Sequence, residues 1–193
     1  MDEERAAFEN RIARADLCRL LAACYYQPGP EFVEARLLDS LAAVAALLDV
    51  EIKVGADKLR EAFRAESLDD LLVDYTGLFV GAPQALAKPY ESAWSNRTGE
   101  AMQVVGLYRE AGFEVDDGFL DLPDHIAVEL EFLYRLVYEH RTPDVRKRFL
   151  AQHLGRWAKP FAKAVDSSAQ TAFYRQLGEL TQRVVESEAG RAQ

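Results

Sequence analysis

Apolar residues return every three to four positions along almost the whole 193-residue chain, and no stretch alternates convincingly with a period of two. A half-buried strand needs that alternation, so the pattern points to an all-α chain. We expect one single-domain helical bundle of about eight helices spanning residues 1–193, with a frayed tail after about Glu186.

The breakers divide the chain. A first helix is expected from about Glu3 to Tyr26, stopped by Gln27-Pro28-Gly29-Pro30. A second begins near Pro30 and buries Leu37, Leu41, Val44 and Leu48, and a third, shorter one holds Leu59, Ala62 and Phe63. Ser67 caps the fourth, with Asp70 three residues on. Its residues Leu68, Leu71, Leu72, Tyr75, Leu78 and Phe79 share a face, and Gly81 ends it. The fifth covers about Thr98 to Ala111. Pro123 suits the first turn of the sixth, which is apolar on most sides and should be central. Thr142-Pro143-Asp144 opens the seventh, with the stripe Leu150, Leu154, Trp157 and Phe161 and a kink expected at Pro160. Ser167 or Ser168 should cap the last, striped by Phe173, Leu177, Leu180 and Val184. The two longest loops, 81–96 and 113–122, flank the fifth helix, and long loops in a compact helical chain more often serve function than joinery.

Charge narrows the partners. A formal net charge of −9 repels a phosphate backbone and attracts a cationic peptide, so no nucleic-acid partner is expected. Met1 to Arg14 alternates charges where a secretory signal would be apolar, and the run Leu41 to Leu48 is too short to cross a bilayer. A cytoplasmic protein without membrane insertion is expected. Cys18 and Cys24 sit six residues apart on one helix and point to different faces, which argues against a disulfide.

The common catalytic signatures are missing: no phosphate loop, no dinucleotide glycine pattern, no nucleophile elbow. His125, His140 and His153 are far apart, no glutamate has a histidine three residues on, and the cysteines and histidines lack zinc-site spacing. No catalytic residue, metal or cofactor is expected.

Two segments carry chemistry. Between Glu110 and Glu131 lie eight acids and no lysine or arginine: Glu110, Glu114, Asp116, Asp117, Asp121, Asp124, Glu129 and Glu131. This is either a solvated acidic loop, with Asp124 favouring the helix N-terminus, or a receptor for a cation. Glu131 and Arg135 have the spacing of a structural pair. His125, one turn before Glu129, is either a cap or surface pair, or part of a polar groove floor with Asp124 and Glu129. The other segment is Tyr75-Thr76-Gly77-Leu78-Phe79-Val80-Gly81, followed by Pro89-Tyr90-Glu91-Ser92-Ala93-Trp94. Tyr75, Leu78 and Phe79 lie on an inner helix face. Pro89, Tyr90 and Trp94 fall in a loop, where aromatics suit either a binding lip or a flap folded onto the core.

Tyr-x-x-Leu-Phe-x-Gly, then Pro-Tyr-Glu-Ser, then Pro-Asp-His-x-x-x-Glu-Leu-x-Phe, in that order, resembles the TorD/DmsD/NarJ family of molybdoenzyme assembly chaperones. The likeness runs from about Ala15 to Val165 and includes Trp157-Ala158-Lys159-Pro160-Phe161. It implies a TorD-like helical fold and a cytoplasmic, non-catalytic chaperone, as a monomer or homodimer. Its partner would be the precursor of a molybdopterin-containing oxidoreductase, bound at a twin-arginine signal peptide or as apo-enzyme, kept competent for cofactor insertion and held back from export. The peptide site would map to Tyr75, Leu78, Phe79, Pro89, Tyr90, Glu91, Ser92, Trp94, Pro123, Asp124, His125 and Glu129. Lys88 stands where close members often carry a second proline. A helical enzyme built on Asp124, His125 and Glu129, or a helical adaptor with no cofactor-loading role, are the competing classes.

Overall fold

The computed structural model describes residues 2–193 except 31, 33–35, 82–84, 96–98 and 115–121. Among the described residues there are nine α-helices and no strand, as the apolar period requires. They are α1 (Asp2–Ala23), α2 (Leu37–Ala45), α3 (Val50–Ala65), α4 (Leu68–Phe79), α5 (Glu100–Glu110), α6 (Ile126–Glu139), α7 (Pro143–Gln152), α8 (Leu154–Ser168) and α9 (Ala172–Arg191). A short 3-10 turn, Glu91–Ala93, sits in the loop after α4.

Local sequence explains several ends. The Asp49 carboxylate accepts from Ile52 N and starts α3, which is a full 16 residues rather than the short helix expected. Ser67 Oγ accepts from Asp70 N and donates to the Asp70 carboxylate, so α4 opens as its sequence suggests.

Four expectations are corrected. α1 stops at Ala23, and Cys24 to Tyr26 form a turn ahead of the prolines. The seventh helix is two helices, because the chain breaks at His153 (φ −123°, ψ −109°) while Pro160 lies inside α8. A Cβ on Gly155 would sit 2.0 Å from the Leu150 carbonyl oxygen, so the corner needs a residue without one. The last helix is not capped by Ser167 or Ser168, since α8 runs through both. Two acids from far upstream cap α9 instead. Asp74 accepts from Gln170 N, Thr171 N and the Thr171 hydroxyl, and Glu66 accepts from Ala172 N and Phe173 N. These satisfy donors that a helix start leaves orphaned. The tail expected to fray past Glu186 is helical to Arg191, where buried Glu188 meets Arg14 and Arg146.

α6 packs against α1, which also contacts α2; α9 packs against α8 and α3. One apolar cluster runs through these interfaces. Its aromatic centre is Tyr25, Phe79, Phe161 and Tyr174, in edge and tilted contacts at centroid distances of 5.5–6.1 Å. Leu130, Leu133 and Val137 on α6 are fully buried, as its composition suggests. Cys18 and Cys24 are buried free thiols, and burial pushes the Cys24 thiol up to about 12. No helix is long and apolar enough to cross a membrane, among the described residues.

Candidate functional site

The loop after α4 and the start of α6, distant in sequence, are joined by backbone hydrogen bonds. Ile126 N donates to Pro89 O (2.8 Å) and Glu91 N to Asp124 O (2.9 Å), while Ala87 N ties the loop back to Leu78 O of α4. Tyr90 and His125 form an isolated antiparallel bridge. The first amide of α6 is thus satisfied by the loop rather than by its own sequence.

The helix does not begin at Pro123. Pro123 and Asp124 form a turn, and His125 is the N-cap, its Nδ1 accepting from Ala127 N at 3.1 Å. Accepting there requires the unprotonated nitrogen. The His125 ring is stacked by Tyr26 and met edge-on by Tyr90. Asp124 does not serve α6. Its Oδ2 accepts from Ser92 N at 2.9 Å, holding the 3-10 turn, and its Oδ1 is buried without a partner.

The structure brings most of the sequence-chosen residues together, but inward. Leu78, Phe79 and Pro89 are buried, and Tyr75, Tyr90 and Pro123 half-buried. Trp94 is half-buried, with its indole N–H donating to Lys88 O and its ring against Phe161, so the flap reading of this loop is the one observed. Ser92 is exposed. Glu91, Glu100, Asp124, Glu129 and His153 are each between 0 and 3 % exposed. The acidic segment is therefore no uniform solvated loop. Asp116, Asp117 and Asp121 lie outside the described residues. Glu131 accepts from the Tyr26 hydroxyl, and Arg135 lies over the Phe113 and Tyr134 rings; the expected Glu131–Arg135 pair is not among the ion pairs of the described residues.

The buried acids are held individually. The imidazole of His153, at the α7–α8 corner, sets Nδ1 2.8 Å from Glu91 Oε2. Ser95 Oγ donates to Glu100. Trp157 Nε1 donates to Glu129 Oε2 at 3.1 Å, while Glu129 Oε1 has no partner. Burial pushes the Glu129 carboxyl well above the usual carboxylate range, and the neighbouring Glu91 charge adds to this. Burial, with the charges of Glu129, Asp124 and Glu91, raises the Tyr108 phenol; it donates to Pro123 O. Sequence reasoning missed Tyr26, Glu100, His153 and Trp157 as members of this site. Only Tyr26 carried a local signal, as an aromatic placed at a helix end before Pro28. An open cleft of about 810 Å³ lies elsewhere, beside Asp49, Glu51, Arg183 and Glu186, and shares no residue with this site.

Comparison with known proteins gives these motifs a context. The nitrate reductase delta subunit family matches residues 45–163. A TorD chaperone of Shewanella loihica is 27% identical over 187 residues, covering 88% of each chain. A TorD chaperone of Salmonella schwarzengrund is 31% identical over 159 residues, 79% of this chain and 71% of that one. A redox enzyme maturation protein of Archaeoglobus fulgidus shares the fold, with a TM-score of 0.61 and 24% identity over 90% of this chain and 93% of that chain. The matched region holds both motif segments, the flap and the α7–α8 corner, and the relatives are chaperones rather than enzymes, so this chain belongs to the TorD/DmsD/NarJ family of redox enzyme maturation chaperones.

Proposed function

We propose that this protein works in the cytoplasm on the precursor of a molybdopterin-containing oxidoreductase. It binds that precursor at a twin-arginine signal peptide, keeps it competent for cofactor insertion and delays its export. The observation that supports this reading most is the joining of the two motif segments, Pro89–Trp94 and Pro123–Glu129, through Ile126 N, Glu91 N and the Tyr90–His125 bridge.

The geometry adds a condition. Asp124, Glu129, Leu78 and Phe79 are covered, so a peptide reaches them only when the Pro89–Trp94 flap lifts. Lifting it breaks a few hydrogen bonds and the Trp94–Phe161 contact, and uncovers acids next to apolar surface. Two guanidiniums followed by an apolar stretch complement that surface. In this reading Tyr75, Leu78 and Phe79 form the wall and Pro89, Tyr90, Glu91, Ser92 and Trp94 the moving lip. Pro123, Asp124, His125 and Glu129 form the floor.

Calorimetry tests it. A leader peptide carrying the arginine pair should bind, and less tightly as salt rises through ~0.1 M, where exposed charges are screened within about 10 Å. Changing both arginines to lysine should cost roughly tenfold in affinity, because lysine lacks the planar fork. Equal affinity for the two peptides would remove the acidic floor from the site, and no binding of either would end the signal-peptide reading.

A further inference from the structure

Glu91, Glu100 and His153 come from three separate segments: the 3-10 turn, the first turn of α5 and the α7–α8 corner. One ligand atom from each lies within 4.8 Å of the others, and all three residues are buried. The imidazole Nδ1 is 2.8 Å from a Glu91 oxygen; a tetrahedral ion with bonds near 2.0–2.1 Å sets its ligand atoms about 3.3 Å apart, so this pair spreads and the wider separations of the set close when the ion enters. A second observation points the same way. Glu129 is wholly buried, and no donor reaches its Oε1.

We propose that Glu91, Glu100 and His153 form a binding site for one first-row divalent metal ion. The charge argument is direct. Two carboxylates and a neutral imidazole carry −2, which a divalent ion cancels; buried carboxylates left uncancelled are costly. The donor set chooses the ion class. One imidazole and carboxylate oxygens, with no thiolate, suit zinc, manganese or iron(II). Magnesium and calcium favour all-oxygen sets. The burial of every ligand argues for a closed structural site rather than a catalytic one. Its role is to tie the flap to α5 and to the α7–α8 corner. The site stands independently of the peptide reading, because it rests on the closed arrangement alone.

The full-length protein, stripped with a chelator and dialysed, is titrated with Zn²⁺ and with Co²⁺ at neutral pH. One Zn²⁺ should bind per chain and raise the melting temperature. Co²⁺ should give visible d–d bands without a thiolate charge-transfer band. X-ray absorption on the zinc form should show a single imidazole among oxygen donors. Glu100→Gln and His153→Gln, each checked by circular dichroism, should weaken zinc by ~10-fold or more, since each deletes a ligand where even an outer-shell partner is worth that much. His140→Gln, on the exposed end of α6, should change nothing. Absence of d–d bands in the wild type overturns the site. So does a coordination shell with sulfur or with several imidazoles, a measurement that needs no variant to fold. Unchanged zinc affinity in folded Glu100→Gln and His153→Gln overturns it as well.

Discussion

Two regions of this protein bury charge, and they do so in opposite ways. Beside the start of α9's last turns, Glu188 lies between Arg14 and Arg146, at 3.4 and 3.9 Å. Two cations meet one anion there, and the anion is nearly inaccessible. Under the flap lie four buried acids, and His153 is hydrogen-bonded to one of them, Glu91. In the first cluster two arginines offset part of the burial that disfavours the Glu188 charge. In the second, burial and the neighbouring Glu91 charge disfavour ionisation of Glu129. Paired buried charge reads as structure, and unpaired buried charge reads as a place for something else.

The largest expected effect breaks the paired side. Glu188→Gln keeps the shape and leaves two guanidiniums facing each other. We expect a loss of about 3 kcal/mol in urea unfolding, the lower end for removing one partner of a buried pair, because the separations are long. A loss below about 1 kcal/mol would place this cluster with ordinary surface pairs.

The next effect separates the two regions by pH. Glu129 holds its proton more tightly folded than unfolded. Its contribution is therefore fully present below the ordinary glutamate value of 4.5 and is lost as pH rises through the folded value. Stability should fall over that window by up to ~1.4 kcal/mol per pH unit for one proton. Glu188, raised by burial despite its two arginines, adds a slope of the same sign. Glu129→Gln should remove only the first part, so the difference between wild type and variant, followed by urea midpoints across pH, should grow with pH. A constant difference would mean that Glu129 is ionised in the folded protein.

The smallest effect sharpens the contrast. Below pH ~4.5, Glu129→Gln exchanges a neutral acid for a neutral amide that can still accept from Trp157. Its cost there should be within about 1 kcal/mol. The same replacement is thus mild under the flap and severe at Glu188, although both residues are glutamates of equal burial.

The fold was legible because each helix carries its own apolar stripe, and Ser67–Asp70 shows a cap readable from four residues. What the chain does between elements was less so. Pro160 invited a kink by a local rule, yet the break falls at His153, where the ring turns to Glu91 and Gly155 clears the Leu150 carbonyl. Asp124 sits where a helix acid should, yet serves the turn at Ser92, and α9 borrows its cap from Asp74 and Glu66. These are tertiary choices. A sequence window sees Pro123-Asp124-His125 as one motif and cannot tell which of its members faces the flap. Glu100 and His153 carried no local signal at all, because their meaning comes from Glu91, which folding brings to them.

The borrowed amide of Ile126 has a practical consequence. A helix that satisfies its own first donors exchanges them with solvent according to its own fraying. α6 cannot do this, because its first amide is bonded to Pro89 O. Deuterium uptake at that single position therefore follows the opening of the flap rather than the melting of the helix. The amide of Ala127, bonded within the cap to His125, supplies the internal reference. Read together, the two neighbouring amides form a clock for how often the two motif segments part.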